Sequence, residues 1–303
     1  MDHFSIILKL TLLLLLLFYR GFVVVKCTKF TFSNKCSGTV WPGILSNSGS
    51  SPLQTTGFEL PAGESRTLLA SSGWSGRFWA RTSCNFDSAG HGSCSTGDCG
   101  SGELECNGAG AAPPATLIEF TLDGGGGKDF YDVSLVDGYN LPVVVEAAAG
   151  GCDATGCVVD LNRRCPAELR VGDGEACRSA CEAFGRPEFC CSGDHSSPAT
   201  CGPSVYSQMF KSACPRSYSY AYDDATSTFT CSGADYVITF CPALSPSQKS
   251  SKDPSPKATG AMLEDDSWLA SLASGEANLV RRRVPLVLLA TLTIATAAIC
   301  LLL

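Results

Sequence analysis

Within GHGSCSTGDCGSGELEC, Gly90 to Cys106, three cysteines stand among five glycines. Cysteines this dense can ligate zinc, run a thiol–disulfide cycle or close structural disulfides. Zinc takes four Cys or His ligands at regular knuckle spacing. Beyond the N-terminal segment the only histidines are His91 and His195, and neither stands at ligand spacing from two cysteines. A redox dithiol uses Cys-x-x-Cys, and that spacing is absent. No metal and no cofactor is expected. Structural disulfides remain, and they require an oxidising compartment.

The N-terminus supplies that compartment. MDHFSIILKLTLLLLLLFYRGFVVVKC carries a mostly apolar run from Phe4 to Phe18, too short for a comfortable membrane span and suited to the h-region of a secretory signal. Cleavage after Cys27 gives a signal peptide of residues 1–27. A retained anchor is the alternative, and the polar, strand-like segment that follows at once argues against it. Of 18 cysteines, Cys27 leaves with the signal and Cys300 lies in the apolar C-terminal tail. Sixteen remain between Cys36 and Cys241, an even set that reads as a disulfide framework.

Around these cysteines the chain alternates in the manner of strands. KFTFSN, SRTLLA, RFWARTS, LIEFTLD, YDVSLV, PVVVEA, STFTCS and YVITFC each place apolar residues at every second position or in a short β-branched run. Many short strands between turn residues predict an antiparallel sandwich. Ser83 to Pro114 and Cys165 to Cys214 are rich in Gly, Ser, Pro and Cys and read as loop regions held by disulfides. Helices are expected at CRSACEAF (177–184) and SVYSQMFKS (204–212). DGGGGKDF, 123–130, lacks the Lys-Ser/Thr ending of a phosphate loop and reads as a hairpin tip.

Charge narrows the partners. Residues 28–241 carry 13 Lys and Arg against 23 Asp and Glu, a net charge of −10, which disfavours nucleic acid and anionic surfaces. No Gly-x-Ser-x-Gly elbow occurs, and neither histidine sits beside a nucleophile motif.

The glycine-rich cysteine stretch, with Thr96 to Cys99 at its centre, resembles the signature of the thaumatin family. The likeness runs from about Thr28 to Pro242 through FTFSNKC, GRFWARTSC, LIEFTLDG, DFYDVSLVDGYNLPV, CPAELRV, EFCCSG and DDATSTFTC. The resemblance implies a mainly β fold: a flattened antiparallel β-sandwich (about 28–82, 115–158 and 215–241), a small disulfide loop domain (about 83–114) and an inserted helix-containing disulfide lobe (about 159–214). It also implies the pairs Cys36–Cys241, Cys84–Cys94, Cys99–Cys106, Cys152–Cys231, Cys157–Cys214, Cys165–Cys177, Cys181–Cys190 and Cys191–Cys201.

Family members line a cleft with an arginine and four acids. By motif these fall on Arg77, Glu119, Asp132, Asp137 and Asp223, with Asp224 the neighbouring alternative to Asp223. Arg216 stands where many relatives carry an acid and would soften the local negative field. Clustered carboxylates can accept hydrogen bonds from sugar hydroxyls, or two of them can cleave a glycosidic bond as acid and base or nucleophile. Glu119 and Asp132 are the catalytic pair if turnover occurs. The expected partner is β-1,3-glucan or another cell-wall polysaccharide, bound by a monomer in a defence role. Alternatives are a weak endo-β-1,3-glucanase and a protein-binding inhibitor of pathogen hydrolases.

After Pro242 the composition changes. Residues 243–273 are Ser/Pro/Lys-rich without periodicity and read as a disordered stalk. Ala273, Ser274 and Gly275 are small, 276–283 polar and 284–303 apolar, the layout of a GPI-attachment signal. Lipid attachment is expected at Ala273 or Ser274, with 274–303 removed and the protein held on the outer face of the plasma membrane. The alternative, a single transmembrane helix, puts Arg281 to Arg283 on the wrong side for the positive-inside bias.

Overall fold

The computed structural model describes residues 27–243. Among these residues are thirteen strands, eleven of which build two main sheets. The first, ordered β3-β1-β13-β8-β9, comprises β1 (Cys27–Asn34), β3 (Ser65–Ser71), β8 (Val143–Ala147), β9 (Thr155–Cys157) and β13 (Tyr236–Phe240). The second, ordered β12-β7-β6-β4-β2, comprises β2 (Trp41–Ser46), β4 (Ser75–Phe86), β6 (Leu117–Thr121), β7 (Asp129–Ser134) and β12 (Phe229–Cys231). β13–β8, β8–β9, β2–β4, β4–β6, β6–β7 and β7–β12 pair antiparallel, and β1 and β13 run parallel with Phe30 opposite Tyr236 and Phe32 opposite Ile238.

Period-2 alternation decides which side chains make the core. Phe30 and Phe32 of β1, Val143 and Val145 of β8, and Ile238 and Phe240 of β13 point inward from the first sheet. Phe78, Ile118, Phe120, Tyr131 and Val133 answer from the second. The aromatic rings pack mainly edge to face, as between Phe30 and Phe120 with centroids 4.7 Å apart. Residues between these inward positions must project from the opposite side of the second sheet. Arg77, Glu119 and Asp132 are three of them.

The outer side of that sheet is partly covered. Trp79 and Leu117 pack there with Cys99, Cys106 and Ala115, and Trp79 Nε1 donates to the Gly97 carbonyl at 2.8 Å. Gly97 has φ +64°, a left-handed conformation that glycine adopts without strain. Asp98 then fastens the turn, accepting from Cys94 N and Gly100 N at 2.7 Å each. The Thr-Gly-Asp-Cys motif is therefore a folding device.

Two regions differ from the loop expectation. β4 continues to Phe86 and pairs with β5 (Gly92–Thr96), so the segment after Ser83 begins as a hairpin, with Cys84 and Cys94 opposite one another and disulfide-bonded. The helix expected over 177–184 starts only at Ala180. Cys177 belongs to β11 (Ala176–Cys177), which pairs with β10 (Arg170–Val171). Ser179 caps α1 (Ala180–Phe184) by accepting from Glu182 N. Helices α2 (Pro187–Cys190) and α3 (Val205–Ala213) follow in the same lobe, and α4 (Asp224–Ser227) precedes β12. A separate cluster holds the lobe, with Leu161, Leu169 and Phe210 packed among Cys157, Cys165, Cys177 and Cys214.

Eight disulfides join the described residues: 36–241, 84–94, 99–106, 152–231, 157–214, 165–177, 181–190 and 191–201. They are the same pairs as in the family pattern. Cys36–Cys241 spans 205 residues, and on the chain-entropy model a closure that long is worth about 5 kcal/mol. No helix among the described residues is long and apolar enough to cross a membrane.

Candidate functional site

Strand register builds the site. Arg77 on β4 lies opposite Glu119 on β6, and Glu119 lies opposite Asp132 on β7. The three form a continuous row across the outer face of the sheet, with direct cross-strand Cβ atoms about 4.5–5.5 Å apart. Each acid stands between two core residues, Ile118 and Phe120 for Glu119, Tyr131 and Val133 for Asp132. The backbone on both sides is thus pinned by the core.

The row is shielded from water. Asp132 is 7% exposed, and the side chains of Arg77 and Glu119 are 22% and 20% exposed. Arg77 Nε lies 3.7 Å from Glu119 Oε1. Asp132 Oδ1 is buried with no hydrogen-bond partner among the described residues.

Burial drives the carboxyls toward their neutral forms. It raises Glu119, with the charge of Asp137 adding and that of Arg77 opposing. It raises Asp132 well above the usual carboxylate range, and Glu119 and Asp224 push further in the same direction against Arg77. Asp137, on the turn after β7, is also raised by burial and pulled back by Arg77. Arg77 is thus the cation that acts on all three. Arg216 instead faces Asp153, 3.4 Å away, and lies 4.6 Å over the ring of Phe229.

Asp223 and Asp224 have different partners. Lys211 on α3 reaches Asp223 Oδ2 at 2.9 Å and also donates to Ser217 O and Ser227 Oγ. Asp223 further accepts from the Ser219 amide and hydroxyl at 2.9 and 2.8 Å. A carboxylate so committed is a strut for its loop. Asp224 accepts from Tyr218 Oη at 2.8 Å, and its charge is the one that reaches Asp132. Tyr218 is joined to the end of β7, its amide donating to Val133 O and its carbonyl accepting from Leu135 N. The structure therefore brings together Arg77, Glu119, Asp132, Asp137 and Asp224. Sequence reading missed Lys211, whose only signal is an amphiphilic position on α3.

The sequence model of the thaumatin family fits residues 34–242. The chain belongs to the thaumatin family. Its relatives in that family include Thaumatin-like protein 1 of Arabidopsis thaliana, 66% identical over 223 residues covering 71% of this chain and 86% of the relative. Pathogenesis-related thaumatin-like protein 3.5 of Cryptomeria japonica is 61% identical over 238 residues, 77% of this chain and 97% of its own. Pathogenesis-related protein 5 of Arabidopsis thaliana is 56% identical over 235 residues, 76% and 97% respectively. In this thaumatin-family chain no group of three or more His, Cys, Asp or Glu among the described residues is arranged to hold a metal ion. What the row offers is carboxyl oxygens with little exposure to water, beside the Arg77 guanidinium.

Proposed function

We propose that the protein binds a neutral β-1,3-glucan of the cell wall through the groove of Arg77, Glu119, Asp132, Asp137 and Asp224, as an extracellular defence protein. The observation that carries this reading is the register row with its unpartnered, buried Asp132 Oδ1. A buried acceptor without a partner costs free energy until a ligand hydroxyl reaches it. Sugar hydroxyls supply donors at short intervals, and the net charge of −10 over residues 28–241 turns away anionic polymers. Relatives named pathogenesis-related support the defence role. Retention on insoluble β-1,3-glucan, with reducing ends measured in the same tubes, tests it.

A second reading, weak endo-β-1,3-glucanase activity, has one observation in its favour. Burial raises Asp132 more strongly than Glu119, which sits beside Arg77, so the environment pushes the two carboxyls apart in the sense an acid and a base or nucleophile need.

The location proposed is the outer face of the plasma membrane, with residues 1–27 a signal peptide, 243–273 a stalk and Ala273 or Ser274 the lipid-bearing residue. Apart from Cys27, the first residue of β1, and Ala243, these segments lie outside the described residues, and composition supports them. The eight disulfides fit an oxidising compartment. Phosphatidylinositol-specific phospholipase should release the protein from membranes, whereas a transmembrane form stays bound.

A further inference from the structure

Asp132 is a poor place for a negative charge. It is buried, and its Oδ1 has no hydrogen-bond partner among the described residues. Two acids oppose its ionisation, Glu119 across the ladder on β6 and Asp224 at the start of α4. Arg77, one strand further on β4, favours it. The Tyr218 hydroxyl donates to Asp224, and burial together with the charge of Asp132 raises that phenol. Asp137, on the turn after β7, adds its charge against Glu119. Lys211 and Arg216 are engaged with Asp223 and Asp153. Glu119, Asp132 and Asp137 therefore share one guanidinium.

A neutral chain laid on this row deepens the imbalance. The side chains of Arg77 and Glu119 keep part of their surface in water. A glucan that covers them takes that water away and brings no cation, and loss of water penalises the charged form of a carboxyl. Sugar hydroxyls that donate to a carboxylate pull the other way. A sugar also carries oxygens that accept, however, and only a protonated carboxyl can donate to them. By linkage, a carboxyl whose pKa is higher in the complex than in the free protein takes up a proton with the ligand. The gain in affinity is complete below the free value and is lost as pH rises through the value in the complex.

We propose that the Glu119–Asp132 pair takes up a proton when the row binds its neutral glucan, so that the protein grips the chain in acid and loosens its hold toward neutral pH. The proposal rests on the glucan reading above and adds the form in which the acids bind. They act as donors to the sugar as well as acceptors from it.

Titration calorimetry of the purified, secreted protein with a β-1,3-gluco-hexasaccharide tests this. Runs in two buffers of different ionisation enthalpy at each pH read both the affinity and the protons exchanged, and circular dichroism confirms the fold at each pH. The wild type should bind about five- to tenfold more tightly at about pH 5 than at about pH 7.5 and take up protons over that interval. Asp132→Asn, whose amide does not titrate, should lose most of this pH dependence, whatever it loses in affinity overall. Glu119→Gln should lose part of it and carries the test if Asp132→Asn fails to fold. Glu146→Gln, at an exposed position on β8 of the other sheet, should keep the wild-type profile. An affinity that is flat with pH, or that rises toward neutrality with protons released, overturns the proton uptake and leaves the glucan reading standing. An unchanged pH dependence in both Asp132→Asn and Glu119→Gln does the same, because the proton then goes elsewhere. A wild type that binds the hexasaccharide at no pH overturns the glucan reading and the proton uptake with it.

Discussion

Asp132 stands directly across the β6–β7 ladder from Glu119, and Glu119 has Arg77 3.7 Å away. Two buried acids with one cation cannot share it equally. Burial raises both carboxyls, Asp132 the further, so Glu119, 3.7 Å from Arg77, is the more easily ionised of the two. Ionising Asp132 at neutral pH therefore costs folding free energy. Asp132→Asn should stabilise the protein at pH 7 by about 1–2 kcal/mol. Urea denaturation checks the sign, and a lower midpoint would mean that the ionised carboxylate is compensated in the groove.

Stability should also depend on pH in a way most carboxylates do not produce. Glu119, Asp132 and Asp137 all have folded-state pKa values raised above the unfolded ones, burial being the leading cause. Their contribution is complete below about pH 4 and is lost as pH rises through the raised values. Glu105 acts in the opposite sense. Burial pushes it up, but hydrogen bonds from Thr55, Thr56 and Gly57 outweigh that and hold it below the usual range. Its contribution is lost as pH falls through that lowered value. The melting temperature should peak in mild acid, between about pH 4 and 6, and fall toward pH 8. Asp132→Asn should flatten the fall on the alkaline side, which calorimetric scans across pH would show.

Lys211 is the strut that sets the acidic loop. Its ammonium spends its three donors on Asp223, Ser217 and Ser227. Lys211→Met should cost about 1–3 kcal/mol, because it leaves Asp223 half buried without its cation. It should weaken glucan binding as well, since Asp224 rides on the same loop. Asp223→Asn keeps hydrogen-bonding capacity toward Ser219 and should be milder on both counts. Equal binding by all three proteins would remove the loop from the site.

Arg77→Gln separates electrostatics from packing in the row. Removing the cation lets burial and mutual repulsion raise Glu119 and Asp132 further. Stability at pH 7 should drop by about 1–3 kcal/mol, and the drop should shrink in mild acid, where the acids are neutral. A loss independent of pH would show that the arginine acts through its packed stem alone.

Much of this architecture can be read before any coordinates are seen, and the reasons for the gaps are physical. An acid between two apolar residues, as in Ile118-Glu119-Phe120 and Tyr131-Asp132-Val133, announces a strand with its carboxyl on the face away from the core. The register that makes neighbours of Glu119 and Asp132 is set by the hairpin between them, so their meeting is local. The parallel pairing of β1 with β13 joins residues some two hundred positions apart, and alternation says nothing about partners. β2 hid behind Pro42 and Gly43, which strands tolerate at a sheet edge, where β2 lies. The choice between Asp223 and Asp224 turns on an ion pair from Lys211, twelve residues back on α3, which no motif encodes.

A row that binds a neutral glucan and turns it over slowly or not at all should hold the protein on wall glucan without cutting it. The most direct measurement is the affinity of the secreted protein for insoluble β-1,3-glucan, wild type against Glu119→Gln, Asp132→Asn and the double variant, with reducing ends followed in parallel. The account predicts retention of the wild type, a loss of up to about tenfold for each single change and more for the double, with reducing ends near background. Undiminished affinity in the double variant, or a wild type that is not retained, would contradict it.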